Sequence, residues 1–187
     1  MKTKATLSDA EWFNSPYLTE YKPTPQDIRD VEKVGQWYEE QESIVNGATI
    51  HTWRLLSIES YNQALRMMEK YNVYAEPVAG QPYNNHHEMF ADIKQGILLV
   101  STDNVDHPLM NEYDTFYGRV WHDLTHYEIN TGFGFAGERA ACMQQCQHVL
   151  TYSQNNYFLI SHALFVDIVG QTANGLLHKR FPIQKVF

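Results

Sequence analysis

"DHPLMNEYDTFYGRVWHDLTHYEINTGFGFAGERAACMQQCQHVLTY", residues 106–152, decides the fold. Leu109, Tyr113, Phe116, Val120 and Leu124 recur at three- and four-residue steps, the period of one helix face, so the spacing predicts a long helix beginning near Pro108. Gly132, Gly134 and Gly137 then punctuate a turn, and the run from Glu138 to Tyr152 predicts a second helix beside the first. Working outward, Thr24 and Pro25 followed by early acids open a helix over 24–45. Ser57 offers a cap for another helix over 57–71, with Tyr61, Leu65, Met68 and Tyr71 on one face. "EPVAGQPYNN" (76–85) concentrates Pro, Gly and Asn and predicts an irregular connection, whereas "GILLVST" (96–102) is short, apolar and β-branched enough for a small strand. "NYFLISHALFVDIVGQ" (156–171) predicts a buried helix, and "HKRFPIQKVF" (178–187), with Pro182, an extended tail. The chain reads as mainly α: a single helical domain over 1–187 with at most a small β element.

At 187 residues the chain fits one domain that buries about two-thirds of its unfolded surface without metal or disulfide staples. A metal here need not be structural. Fourteen Lys and Arg against 22 Asp and Glu leave a net charge of −8, with the basic residues scattered, so nothing gathers to neutralise a phosphate backbone and nucleic acid is not an expected partner. Cys142 and Cys146 stand four apart on a predicted helix, a poor geometry for a disulfide. Reduced thiols fit a cytoplasmic setting. The first residues, "MKTKATLSDAEW", carry neither a signal-peptide apolar core nor a transit-peptide composition. No apolar run approaches the ~20 residues that span a bilayer, which leaves peripheral membrane contact and homo-oligomerisation open.

"WHDLTHYEINTGFGFAGE" (121–138) carries the chemistry. His122 and His126 are just over one helical turn apart, so both imidazoles can reach one ion. Nine histidines in 187 residues give roughly 0.4 such pairs by chance, so context must add the rest. Eleven residues separate His126 from Glu138, which can return across the glycine turn to complete a two-His, one-carboxylate site. Such a site keeps coordination positions open, as catalytic Zn²⁺ and non-haem Fe²⁺ centres do. Asp123 projects about 100° around the helix from His122, as a fourth ligand or a base acting on bound water. The alternative is that both histidines are satisfied interior side chains, Asp123 is solvated and Glu138 only favours its helix N-terminus. Asp167 and Gln171, four apart in an apolar helix, need partners if buried, and positions supporting the histidines would supply them. His86, His87 and Glu88 read as an exposed loop, because adjacent histidines diverge. Cys142 shares the helix face of Glu138 and reads as a small buried hydrophobe. The four Trp, twelve Tyr and nine Phe predict core and pocket lining that permits an apolar, ring-shaped or isoprenoid ligand.

"HDLTH", eleven residues and then Glu138 resemble the HDxxH-x11-E signature of the coenzyme Q biosynthesis protein 4 family, over about residues 112–147. That resemblance implies a helical protein with a divalent ion, usually zinc, at His122, Asp123, His126 and Glu138. It also implies a role in ubiquinone biosynthesis, organising the biosynthetic complex and replacing an aromatic ring carboxylate by hydroxyl. The succession "GRVWHD", "GFGFAGERAA", "DIVGQ" and "FPIQKVF" is similar, over residues 111–187, to phage-encoded proteins of no named activity. This second resemblance draws Asp167, Gln171 and Gln184 toward the site. The resulting expectation is a metal-dependent enzyme, zinc foremost with iron or manganese as alternatives, acting on a small carboxylate-bearing aromatic or quinone precursor. A metal-dependent hydrolase with Asp123 as base, and a scaffold in which the ion only pins two helices, are the competing readings.

Overall fold

The computed structural model describes residues 23–103, 105–179 and 183–187. The expectations for the first residues and for the chain around Pro182 lie outside the described residues. Helix α1 (Pro25–Glu40) starts as its sequence predicts: Thr24 Oγ1 accepts from the Asp27 amide at 3.2 Å, Asp27 Oδ2 accepts from the Thr24 amide at 2.9 Å, and Pro25 opens the first turn. Helix α2 (Gly47–Tyr71) begins earlier than expected. Its cap is Asn46, whose side chain accepts from the Ala48 and Thr49 amides, and Ser57 lies inside the helix. Burial of Trp53 and Leu56 carries the helix back from Ser57 to that cap.

Strands β1 (Tyr74–Val78) and β2 (Ile97–Ser101) pair in parallel, Tyr74 opposite Ile97 and Val78 opposite Ser101, joined by α3 (His86–Lys94). Two local expectations change here. Part of the connection over 76–85 belongs to β1, because pairing with β2 overrides the weak strand propensity of Glu76 and Pro77. His86, His87 and Glu88 form the first turn of α3, not a loop, because Asn85 accepts from the Glu88 amide at 3.0 Å.

Helix α4 (Glu112–Ile129) starts four residues after Pro108, where Asn111 and Asp114 form a reciprocal cap, and ends at Asn130 in the left-handed conformation. Helix α5 (Phe135–Tyr152) follows, then a 3₁₀ turn (Gln154–Asn156), α6 (Tyr157–Leu164), a π-helical turn (Phe165–Gly170) and α7 (Gln171–His178). The predicted buried helix over 156–171 is thus interrupted by the π turn, and Phe158 on its outer face is 85% exposed. None of the helices among the described residues is long and apolar enough to cross a membrane.

The apolar side chains of these elements form one cluster around Trp53, Leu56, Trp121, Leu124 and Phe135. Helix α7 lies against α1 so closely that a Cβ on Gly35 would stand 2.9 Å from the Ala173 carbonyl oxygen, and Asn174 Nδ2 donates to the Gly35 carbonyl at 3.2 Å. The tail 183–187 returns over the end of α1. Lys185 Nζ donates to the carbonyls of Tyr38, Glu39 and Gln41 at 2.9, 2.8 and 2.7 Å, satisfying groups that the helix end leaves open. The Ile44 amide donates to the Val186 carbonyl at 2.7 Å. Gly35→Ala is expected to lower stability in urea unfolding by about 1–3 kcal/mol through overpacking against the α7 backbone.

Candidate metal centre

Helix α4 brings His122 and His126 to one face, and the turn after it returns the chain within five residues. The Thr131 amide donates to the His126 carbonyl at 3.1 Å, and the Glu138 amide donates to the Gly134 carbonyl at 2.9 Å as α5 begins. The two strands of this turn are nearly in contact: a Cβ on Gly137 would lie 1.8 Å from the Gly132 carbonyl oxygen. Only glycine allows that approach, and one residue later Glu138 faces the imidazoles. Its Oε2 lies 3.0 Å from His122 Nε2 and its Oε1 lies 3.5 Å from His126 Nε2, while the two Nε2 atoms are 3.0 Å apart.

The far side of each ring decides what faces the centre. His126 Nδ1 lies 3.3 Å from the Thr131 carbonyl oxygen and 3.1 Å from Thr131 Oγ1; a carbonyl only accepts, so Nδ1 carries the hydrogen. His122 Nδ1 donates in the same way to Gln145 Oε1 at 3.3 Å. Both Nε2 atoms of the neutral rings therefore present lone pairs, to each other and to a carboxylate. Three electron-pair donors at this separation could hold a cation between them. Two ligand atoms bound tetrahedrally to Zn²⁺ at 2.0–2.1 Å would be about 3.3 Å apart, inside the 3.0–3.5 Å spread seen here. Imidazole, imidazole and carboxylate suit zinc or iron better than magnesium or calcium.

Among the described residues, His122, His126 and Glu138 form the group of ligand type, all their ligand atoms within 4.8 Å of one another. Asp123 stands outside it. The expected fourth ligand is thus not among the three groups that converge, although Asp123 is half-buried and feels the charge of His122, His126 and Glu138. Burial nonetheless raises its carboxyl to about 6, against the lowering influence of His122, His126 and Arg119. Without an ion, a proton supplies the missing charge. Burial alone would depress His122, but Glu138 outweighs it and lifts His122 to about 9; burial opposes ionisation of Glu138, yet the two histidines hold it at about 2.

His122 and Glu138 also form part of the wall of a cavity of about 230 Å³, with Gln145, Asp167, Gln171 and Gln184 among its other walls. Burial raises the Asp167 carboxyl, opposed by His107, His122 and Arg119. Cys142 is buried on the α5 face between Glu138 and Gln145, as a small hydrophobe. His86 approaches the outer side of the turn, where a Cβ on Gly132 would meet its ring at 3.0 Å. Sequence reading missed Gln145, His107 and Arg119. Gln145 follows Glu138 by seven residues, two helical turns, a spacing that could have flagged it; His107 and Arg119 carry no such signal.

His126→Ala is expected to lose most bound metal while keeping the helical circular dichroism of the parent, since the core does not depend on the ion; elemental analysis of both proteins checks this. The pH dependence separates the two cations. His122 is raised, so its contribution to metal-free stability is complete below 6.5 and is lost as pH rises through about 9. Zinc competes with that proton and gains as pH rises. The melting-temperature difference between zinc-loaded and metal-free protein is therefore expected to widen from pH 6.5 to 9, and a constant difference would contradict the shared site. No protein-family model, curated protein or solved structure matches the chain, so what this centre does must follow from its own atoms.

Proposed function

We propose that this protein is a metal-dependent hydrolase of small molecules, holding a divalent ion through His122, His126 and Glu138. The observation that carries the reading is the convergence of three lone-pair donors at the wall of a polar cavity. A site that only pinned two helices would have no need of a cavity beside its ligands. Bound there, a divalent ion supplies Lewis acidity, which polarises a carbonyl and eases deprotonation of water. The two histidines are kept in the ligating tautomer by Gln145 and Thr131.

Two carboxyls compete for the role of base, and the cavity favours Asp167. Asp167 lines it whereas Asp123 is not among the lining residues. A carboxyl raised by burial is suited to taking a proton from water near neutral pH and returning it to a leaving group. Asp123 acts in this reading through its charge, beside the histidines and Arg119. A second reading follows from the resemblance to the coenzyme Q biosynthesis protein 4 family: exchange of a ring carboxylate for hydroxyl on a quinone precursor, a two-electron oxidation in which molecular oxygen would be the oxidant and the carboxylate would leave as carbon dioxide. Arg119 and Trp121 in the same wall favour it, as a cation and an aromatic face for an aromatic acid.

The zinc-loaded protein is to be tested against aryl esters and aryl amides, and the iron-loaded protein in air against hydroxybenzoic acids. Asp167→Asn is expected to lower kcat on a hydrolysed substrate by about 10²–10⁴-fold with unchanged zinc content. Full activity in that variant would return the role of base to Asp123, and release of carbon dioxide from the acids, with esters and amides untouched, would select the second reading.

A further inference from the structure

Four side chains in the cavity wall keep a buried polar atom that no protein group satisfies: His107 Nε2, Thr115 Oγ1, Gln171 Nε2 and Gln184 Oε1. They come from four places in the chain: the loop before α4, the first turn of α4, the start of α7 and the tail. Six such atoms exist among the described residues, so two-thirds of them collect at one cavity. Each buried polar atom left unsatisfied costs about 1–3 kcal/mol. That concentration marks a site arranged for a polar ligand.

Their chemistry restricts the ligand. His107 Nδ1 accepts from the amides of Leu109 and Met110 at 3.1 and 2.9 Å, so its Nε2 carries a hydrogen and is a donor. Gln171 Nε2 is a second donor, Gln184 Oε1 is an acceptor, and the Thr115 hydroxyl is both. A carboxylate ligand would satisfy the donors and Arg119, but it would have no hydrogen for Gln184 Oε1 and would face the Asp167 and Glu138 carboxyls. A cationic ligand would find the Asp167 and Glu138 carboxyls, but it would face Arg119 and leave the His107 and Gln171 donors without an acceptor. A neutral group with an acceptor oxygen and an N–H fits all of them. Leu56, Met110, Trp121, Leu164 and Ile168 supply apolar wall for the rest of the molecule, and about 230 Å³ suits a single ring. The π turn adds a second indication: its extra residue breaks the helical register between α6 and α7, where Asp167 and Gln171 reach the cavity, and such turns concentrate at functional sites.

We propose that this cavity binds a small neutral carboxamide, or a related group with adjacent C=O and N–H, carried on an apolar ring. The inference deepens the hydrolase reading by making the substrate an amide; it rests on that reading for the reaction but not for the binding.

Benzamide, benzoate and benzamidine share one shape and differ in charge, and each is to be titrated at millimolar concentration by NMR into zinc-loaded and chelator-stripped protein. Benzamide is expected to bind more tightly than either ion to the stripped protein by at least about five-fold, the net worth of one hydrogen bond. Gln171→Leu and Gln184→Leu are each expected to weaken benzamide by a similar factor with zinc content unchanged. Benzoate binding the stripped protein as tightly as benzamide overturns the proposal. So does the absence of binding by all three probes, or unchanged benzamide affinity in both variants. If zinc fails to bind while the benzamide preference and its loss in the variants persist, the hydrolase reading fails and the amide site stands.

Discussion

The approach of the Gly132 carbonyl to Gly137 governs the rest of the site. A Cβ at Gly137 would sit 1.8 Å from that oxygen, far inside any contact distance, so the turn between α4 and α5 closes only without a side chain there. The closure makes the eleven residues between His126 and Glu138 short enough in space for a carboxylate to meet two imidazoles. It also frees the Thr131 carbonyl to hold His126 Nδ1 from behind. One backbone crossing thus delivers a ligand and fixes the tautomer of another.

Burial then turns geometry into chemistry. In water, two imidazole lone pairs and a carboxylate would be solvated separately; here His126 and Glu138 are buried and the three groups stand within 3.5 Å. Desolvation raises the cost of leaving such charges and lone pairs uncompensated. The site is therefore suited to a cation, a proton in the metal-free protein or a divalent ion that the same three groups could hold. Because the apolar cluster extends over the whole set of helices, the ion is not required to hold them together.

The cavity is assembled from more distant parts. The tail reaches it because Lys185 caps three carbonyls at the end of α1 and the Tyr38 hydroxyl donates to the Ile183 carbonyl at 3.0 Å, which places Gln184 in the wall. Helix α1 in turn is held by the close packing of Gly35 on α7. Asp167 and Gln171 depend on the π turn between α6 and α7. The wall therefore joins α2, the π turn and the tail to the central helix pair.

The sequence by itself determined the mainly helical class and the grouping of His122, His126 and Glu138, because both rest on local periodicity. His122 and His126 share a face at any helical geometry, and a glycine-rich turn of limited length leaves Glu138 little choice but to return near them. Thr24 with Pro25 marked the start of α1 for the same local reason. The start of α2 at Asn46, the strand at Tyr74–Val78 and the π turn at Phe165–Gly170 were not legible, since each is decided by what it packs or pairs with. The absence of Asp123 from the converging group, and the placing of His107 and Arg119 in one cavity wall with Gln171 and Gln184, were decided by tertiary structure. Spacing along a chain constrains neighbours within a few turns; which distant polar atoms share a buried space depends on how whole helices cross, and no local pattern encodes that.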